Sequence, residues 1–268
     1  MTRPTVYPEL NRLLEELVAG ARAVLSDNFC GAYLQGSFAV GDADVHSDVD
    51  FIVVTHEEVG DDQVPALNVL HARLYALDIP WAQHLEGSYA PKACLRRVDP
   101  SRSPFLYLDN GASALIRDNH CNTAVVRSCL REHGIVLAGP DPKTLVDPVT
   151  ASQLREEART AMDELAAWAP QPTKAGGMSR WKQPYLVLSL CRMLHTLNSG
   201  TVTSKREAGE WGLAALDAEW ADLIRRALDD RPDPWRRVHE AAGPELAGRT
   251  LAFVEYAREA AASASPSP

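Results

Sequence analysis

The sequence predicts two folding units in series: a mixed helix-and-strand unit, α/β or α+β, followed by an all-helical one. Three observations carry this. In the first half, short apolar runs with strand character alternate with stretches of helical periodicity. A proline cluster, Pro140, Pro142 and Pro148, then interrupts both regular structures. Beyond it, apolar residues recur only at helical spacing. The expected boundaries are 1–149 for the first unit, 150–262 for the second and 263–268 for a disordered tail of small residues and prolines.

The elements follow in order. Leu10, Leu13, Leu14, Leu17, Val18, Ala21 and Leu25 fall on one face of a helix spanning Glu9 to Leu25, with Pro8 suited to its first turn. Ala32 to Leu34 reads as a strand that ends at Gly36-Ser37. A loop rich in Gly and Asp (Gly41, Asp42, Asp44) leads to a second strand, Val49 to Val54. The acid-rich stretch Glu57 to Asp62 reads as a solvated loop and Val64 to Leu77 as a helix. Pro80 to Glu86 and Pro104 to Leu108 are expected strands, and Asp118 to His133 a helix. After the prolines come helices at Ala151 to Trp168, Tyr185 to Leu197, Lys205 to Leu216, Glu219 to Leu228 and Glu245 to Ala261. Thr150 with Gln153, and Ser204 with Glu207, have capping-box spacing and fix two of the starts. Trp168, Trp181, Trp211, Trp220 and Trp235 read as core or rim positions.

Composition narrows the function classes. The chain has 268 residues, 46% hydrophobic and 24% charged, which describes a globular protein large enough to fold without staples. Five cysteines without a CxxC pair indicate neither a disulfide framework nor a cysteine zinc site. The N-terminus has no apolar signal core and no apolar run is long enough to cross a bilayer, so the expectation is a cytoplasmic chain without a membrane partner. The formal charge of −9 argues against a nucleic-acid partner, which needs a basic surface.

The chemistry concentrates in LQGSFAVGDADVHSDVDFIVV. On a strand, Asp48 and Asp50 share a face, while Val49 points into the core. Two carboxylates held this close repel each other unless a cation lies between them, and magnesium prefers carboxylate and phosphate oxygens. Gly36 permits close backbone approach to a ligand, and the Ser37 and Ser47 hydroxyls are candidate phosphate donors. Lys205, first in a helix capped by Ser204, places a cation where the helix dipole already favours an anion. It reads as a phosphate ligand or as a solvated surface lysine. Arg192 read alone is a helix-surface ion pair. His120 or Asn122 read alone is a helix cap.

Gly36-Ser37, ten intervening residues and Asp48-Val49-Asp50 resemble the signature of the nucleotidyltransferase superfamily related to DNA polymerase β. REHGIVLAGP (131–140), LVLSLCRML (186–194) and VTSKREAGEW (202–211) resemble the streptomycin/spectinomycin adenylyltransferases. The resemblance implies an α+β fold, with an N-terminal nucleotidyltransferase domain of mixed sheet and flanking helices and a C-terminal all-α bundle, ATP and acceptor meeting between them. It implies Mg2+-dependent transfer of AMP from ATP to a hydroxyl of a small molecule, an aminoglycoside or aminocyclitol first. A protein AMPylator and an antitoxin-like binding protein are the alternatives. By the same resemblance Asp48 and Asp50 are metal ligands and catalytic, Glu86 is the general base, Gly36, Ser37, Ser47, Arg192 and Lys205 hold the nucleotide, and His120 or Asn122 contacts it. Glu86 read alone is an exposed strand-end acid, and the family position favours the base. The resistance enzymes carry acids just before the helix matched by Leu186 to Leu194, and Lys182 stands here instead. A lysine there opposes a polycationic drug.

Overall fold

A computed structural model describes residues 3–170, 177–232 and 237–263. The chain divides into two compact units between Val149 and Thr150.

The first unit is a six-stranded mixed sheet with helices. Its elements are α1 (Pro8–Leu25), β1 (Phe29–Leu34), α2 (Gly36–Ala39), β2 (Val49–Thr55), α3 (Val64–Tyr75), β3 (Leu85–Pro91), α4 (Lys92–Leu95), β4 (Phe105–Leu108), β5 (Ile116–Asp118), α5 (Ala124–His133) and β6 (Ile135–Ala138). The strand order is β5-β4-β3-β2-β1-β6. Among the described residues, only the β2–β3 pair of this sheet is parallel. A parallel pair needs a crossover, and α3 lies within it.

Both faces of the central strands are covered. Phe51 and Val53 join the larger apolar cluster with Leu10, Leu13, Leu14 and Leu17 of α1 and Leu67, Leu70 and Leu74 of α3. Ile52 and Val54, on the opposite face, pack with Tyr33, Ala90, Phe105 and Leu130. This explains the continuous apolar run from Phe51 to Val54, since a strand buried on both faces has no polar alternation.

The second unit is all-helical: α6 (Ala151–Trp168), α7 (Lys182–Ser199), α8 (Lys205–Ala215), α9 (Ala221–Asp230) and α10 (Pro244–Ser263). α7 is the central element, with Leu186, Val187, Leu188, Leu190 and Cys191 all buried in a core that also takes Met162, Ile224 and Phe253. Both expected capping boxes are formed, at Thr150 with Gln153 and at Ser204 with Glu207. The expected α+β architecture is observed, a mixed sheet with helices followed by a helical bundle.

Several expectations are corrected. The strand expected over Pro80 to Glu86 runs instead over Leu85–Pro91. Residues 80–83 form turns closed by Ala82 N to Ile79 O and His84 N to Trp81 O. Their apolar side chains, Trp81 and Ala82, are buried without being strand residues. The helix expected from Asp118 starts at Ala124, because Asp118 closes β5 and Thr123 provides the cap, its side chain accepting from Val126 N. Strand β6 was not expected, and Val59 in the acid-rich loop is buried in the main core. Leu145 and Val146, inside the proline cluster, are core residues of the first unit. Ser263, assigned to the tail, is the last residue of α10. Trp235 and residues 264–268 lie outside the described residues. Among the described residues, no helix is long and apolar enough to cross a membrane.

Candidate active site

The candidate site forms where β2 and β3 begin. Asp50 and Glu86 are register partners in the parallel pair, one residue in from the start of each strand. Side chains paired in register leave a sheet on the same face, so both carboxylates project from the face that carries Ile52, Val54 and Ala90 further along. Asp48 lies just before β2, so the strand geometry expected to aim it with Asp50 begins only at Val49. Asp48 and Asp50 are half-buried and Val49 is fully buried between them.

The backbone after β1 is tied to this pair. Gln35 N donates to Asp50 O at 2.9 Å. Gly36 opens the helical turn α2 with φ +59°, and a Cβ there would run into the Asp50 carboxylate. Glycine is required twice, by the left-handed backbone and by the close approach. The Ser37 Oγ is buried and has no hydrogen-bond partner, a donor suited to a ligand oxygen. Ser47 differs: its Oγ accepts from Asp44 N at 2.9 Å and closes its own loop.

Glu86 is embedded in a small network, with its side chain 14% exposed. The Tyr107 hydroxyl lies 2.7 Å from Glu86 Oε1 and 3.1 Å from Asp109 Oδ1, so one proton serves two carboxylates. His120 Nε2 lies 3.2 Å from the same Oε1. The His120 ring stacks on Tyr107, centroids 5.3 Å apart. Electrostatics follow. Burial first, then the Glu86 charge, pushes the Tyr107 hydroxyl far above its ordinary range, so it stays a donor. The hydrogen bond to Glu86 raises His120 against the opposing effect of burial. Burial pushes the Cys121 thiol up to about 12, and the charges of Glu86 and Asp50 add to the shift.

Magnesium fits this donor set. Asp48 and Asp50 offer hard oxygen ligands at a half-buried edge, and magnesium is typically held by one or two carboxylates together with substrate phosphates. Among the described residues no group of three or more His, Cys, Asp or Glu side chains forms a metal cage.

Arg192 and Lys205 belong to the second unit. Lys205 is the first residue of α8, with Nζ 4.6 Å from the centre of the Tyr185 ring. Arg192 is half-buried on α7. Lys182 opens α7, its Nζ 4.3 Å from the centre of the Trp168 ring. Sequence reasoning did not find Tyr107, Asp109 or Cys121. Their link to Glu86 runs across strands and through a turn, and no local spacing marks it. His120, by sequence a nucleotide contact or a helix cap, does not cap α5, where Thr123 holds that place, and lies against Glu86.

Comparison with known proteins gives the context of this arrangement. A family model described as aminoglycoside adenylyltransferase, C-terminal domain, matches residues 144–248. An aminoglycoside (3'') (9) adenylyltransferase of Shigella flexneri is 25% identical over 239 residues, 84% of this chain and 86% of the relative. A spectinomycin 9-adenylyltransferase of Campylobacter jejuni is 20% identical over 266 residues, 94% of this chain and 95% of the relative. Among solved structures, the fold is similar to that of spectinomycin adenyltransferase AAD(9) from Enterococcus faecialis, determined with ATP and spectinomycin. The TM-score is 0.70 at 15% identity, covering 94% of this chain and 99% of the other.

Proposed function

From a chain related to the aminoglycoside adenylyltransferases over most of its length, we propose a magnesium-dependent transfer of AMP from ATP to a hydroxyl of a small molecule, an aminoglycoside or aminocyclitol antibiotic. The observation that supports this best is the pairing of Asp50 with Glu86 beside the Gly36 turn. A metal-binding acid and a proton-accepting acid are needed side by side for this chemistry.

In this reading the acceptor oxygen attacks the α-phosphorus of ATP. A bond forms between them, the bond to the pyrophosphate oxygen breaks, and pyrophosphate leaves. Magnesium held by Asp48 and Asp50 would neutralise the triphosphate charge. A Glu86 carboxylate oxygen takes the proton that the acceptor hydroxyl loses. Tyr107 holds that carboxylate by donating to it. The Ser37 hydroxyl and the backbone after Gly36 hold phosphate oxygens, and Lys205 and Arg192 add cationic phosphate contacts. The Ser47 hydroxyl accepts from Asp44 N and keeps its own proton, which is a further donor to phosphate in this reading. A cytoplasmic location, where ATP is plentiful, suits this reading.

Lys182 bears on the acceptor. A cation at this position opposes a drug with several guanidinium or ammonium groups, which disfavours streptomycin. The test is incubation with ATP labelled on its α-phosphate and magnesium, with spectinomycin, streptomycin and further aminoglycosides offered separately, then with cell extract. Label in a drug other than streptomycin is the expected result. Label in a protein band instead makes the chain an AMPylator, and no label in either removes the transferase reading.

A further inference from the structure

We infer that His120 is a positioning residue for the transfer step, holding the Glu86 carboxylate in its working orientation from the turn after β5. The inference rests on the reading of Glu86 as general base and adds a residue to which that reading gave no role.

The geometry carries it. Glu86 is fixed at its backbone by β3, but a glutamate side chain has three rotatable bonds and needs further contacts to hold one direction. Tyr107 Oη and His120 Nε2 both approach one oxygen, Oε1, at 2.7 and 3.2 Å. Two donors from different elements hold that oxygen from two directions. The stacking of His120 on Tyr107 makes the two donors one unit.

His120 itself is held by a rigid turn. Its backbone N donates to Asp118 Oδ1 at 2.7 Å, and Asn122 N donates to Asn119 O at 2.8 Å. The Asn122 side chain donates to Ser103 O at 2.7 Å and accepts from Arg127 Nη2 at 2.6 Å. Arg127 is completely buried and also donates to the Leu95 and Cys94 carbonyls. A buried arginine with this many partners is costly to move. The turn therefore presents the imidazole at a set place although the side chain is 59% exposed.

Its hydrogen bond to Glu86 and the charges of Glu86, Asp118 and Asp109 favour its protonated form, against the effect of burial. As imidazolium, Nε2 is obligatorily a donor to Glu86, and the pair gains charge assistance. As pH rises through the raised pKa, the proton is lost and the contact weakens.

The experiment has two arms. In the first, NMR follows the His120 imidazole in the whole protein without substrates. Its titration midpoint is expected above the ordinary histidine value and should fall in Glu86→Gln. An unchanged midpoint means that the pair does not exist, and overturns the inference while leaving the proposed function intact. In the second arm, AMP transfer to the acceptor that wild type labels best is measured for His120→Ala and His120→Gln. Misplacement of a reacting group costs up to about 100-fold. His120→Ala should lose about 10- to 100-fold in kcat, with KM for ATP unchanged, and His120→Gln should recover part of it through its amide N–H. The fall of wild-type kcat on the alkaline side should be absent in His120→Gln. Wild-type kcat in His120→Ala across the pH range overturns the inference. A wild type that labels no acceptor overturns the proposed function and this inference with it.

Discussion

Asp50 and Glu86 are register partners in the parallel β2–β3 pair of the sheet, their side chains leaving the same face. Each lies at the start of its strand, so backbone hydrogen bonding fixes the two Cα positions and only side-chain torsions remain to be set. The network around Glu86 and the turn at Gly36 set them.

Glu86→Gln keeps the side chain's size and removes the basic oxygen. Base catalysis contributes about 10²–10⁴-fold in rate. The expected loss in kcat is on that scale, with a melting temperature close to that of wild type. Asp78→Asn, outside the network, is the control and should transfer AMP normally. A Glu86→Gln enzyme with wild-type kcat moves the base elsewhere.

Asp48→Asn and Asp50→Asn each remove one anionic oxygen from the proposed metal edge. Both should abolish AMP transfer at any magnesium concentration and leave far-UV circular dichroism unchanged. Activity restored in either variant by excess magnesium limits its residue to a contribution to affinity.

Gly36→Ala tests the junction between the two halves of the motif. The left-handed φ of +59° costs a non-glycine residue about 1–2 kcal/mol. The added methyl also meets the Asp50 carboxylate and must displace it. Transfer should fall far more than stability. Calorimetry gives the stability and the labelled-ATP assay the transfer. Equal activity of variant and wild type contradicts the role of the close approach.

Lys205→Ala separates two uses of one ammonium group. Nζ sits over the Tyr185 ring, a contact between helices α7 and α8. If Lys205 also holds a phosphate, its loss weakens ATP binding by about 1.5–3 kcal/mol, the scale of a charge-assisted contact. Titration calorimetry with ATP reads this, and an unchanged Kd confines Lys205 to packing on Tyr185.

His71 makes stability depend on pH. Burial beneath Phe51 and Tyr89 lowers its pKa from 6.5 to about 4, and its Nε2 lies 2.9 Å from the Tyr89 hydroxyl. The folded value is below the unfolded one, so its contribution is complete above about pH 6.5 and is lost as pH falls toward 4. Between pH 7.5 and 4.5 wild type should lose about 2–3 kcal/mol from this group. His71→Leu should lack that component in urea unfolding at the two pH values. Identical pH dependence of the two proteins places the acid sensitivity elsewhere.

The sequence by itself determined the order and kind of most elements, because these follow from local periodicity. Leu10 to Leu25 writes the α1 face, Phe51 to Val54 the doubly buried β2, and Ser204 with Glu207 the start of α8. It also marked Gly36, Asp48 and Asp50, whose signature spans one strand, one turn and one loop. What only the tertiary structure decided are the relations between strands. Trp81 and Ala82 imitate a strand by being apolar, yet they pack into the core from turns, so β3 starts at Leu85. That shift puts Glu86 in register with Asp50 instead of at a strand's end. Tyr107 and His120 reach Glu86 from β4 and from the turn after β5, across distances in sequence over which no pattern of residues reports. Strand pairing joins residues by hydrogen bonds between distant backbones, and the partner is set by the packing of the whole sheet rather than by its neighbours in the chain.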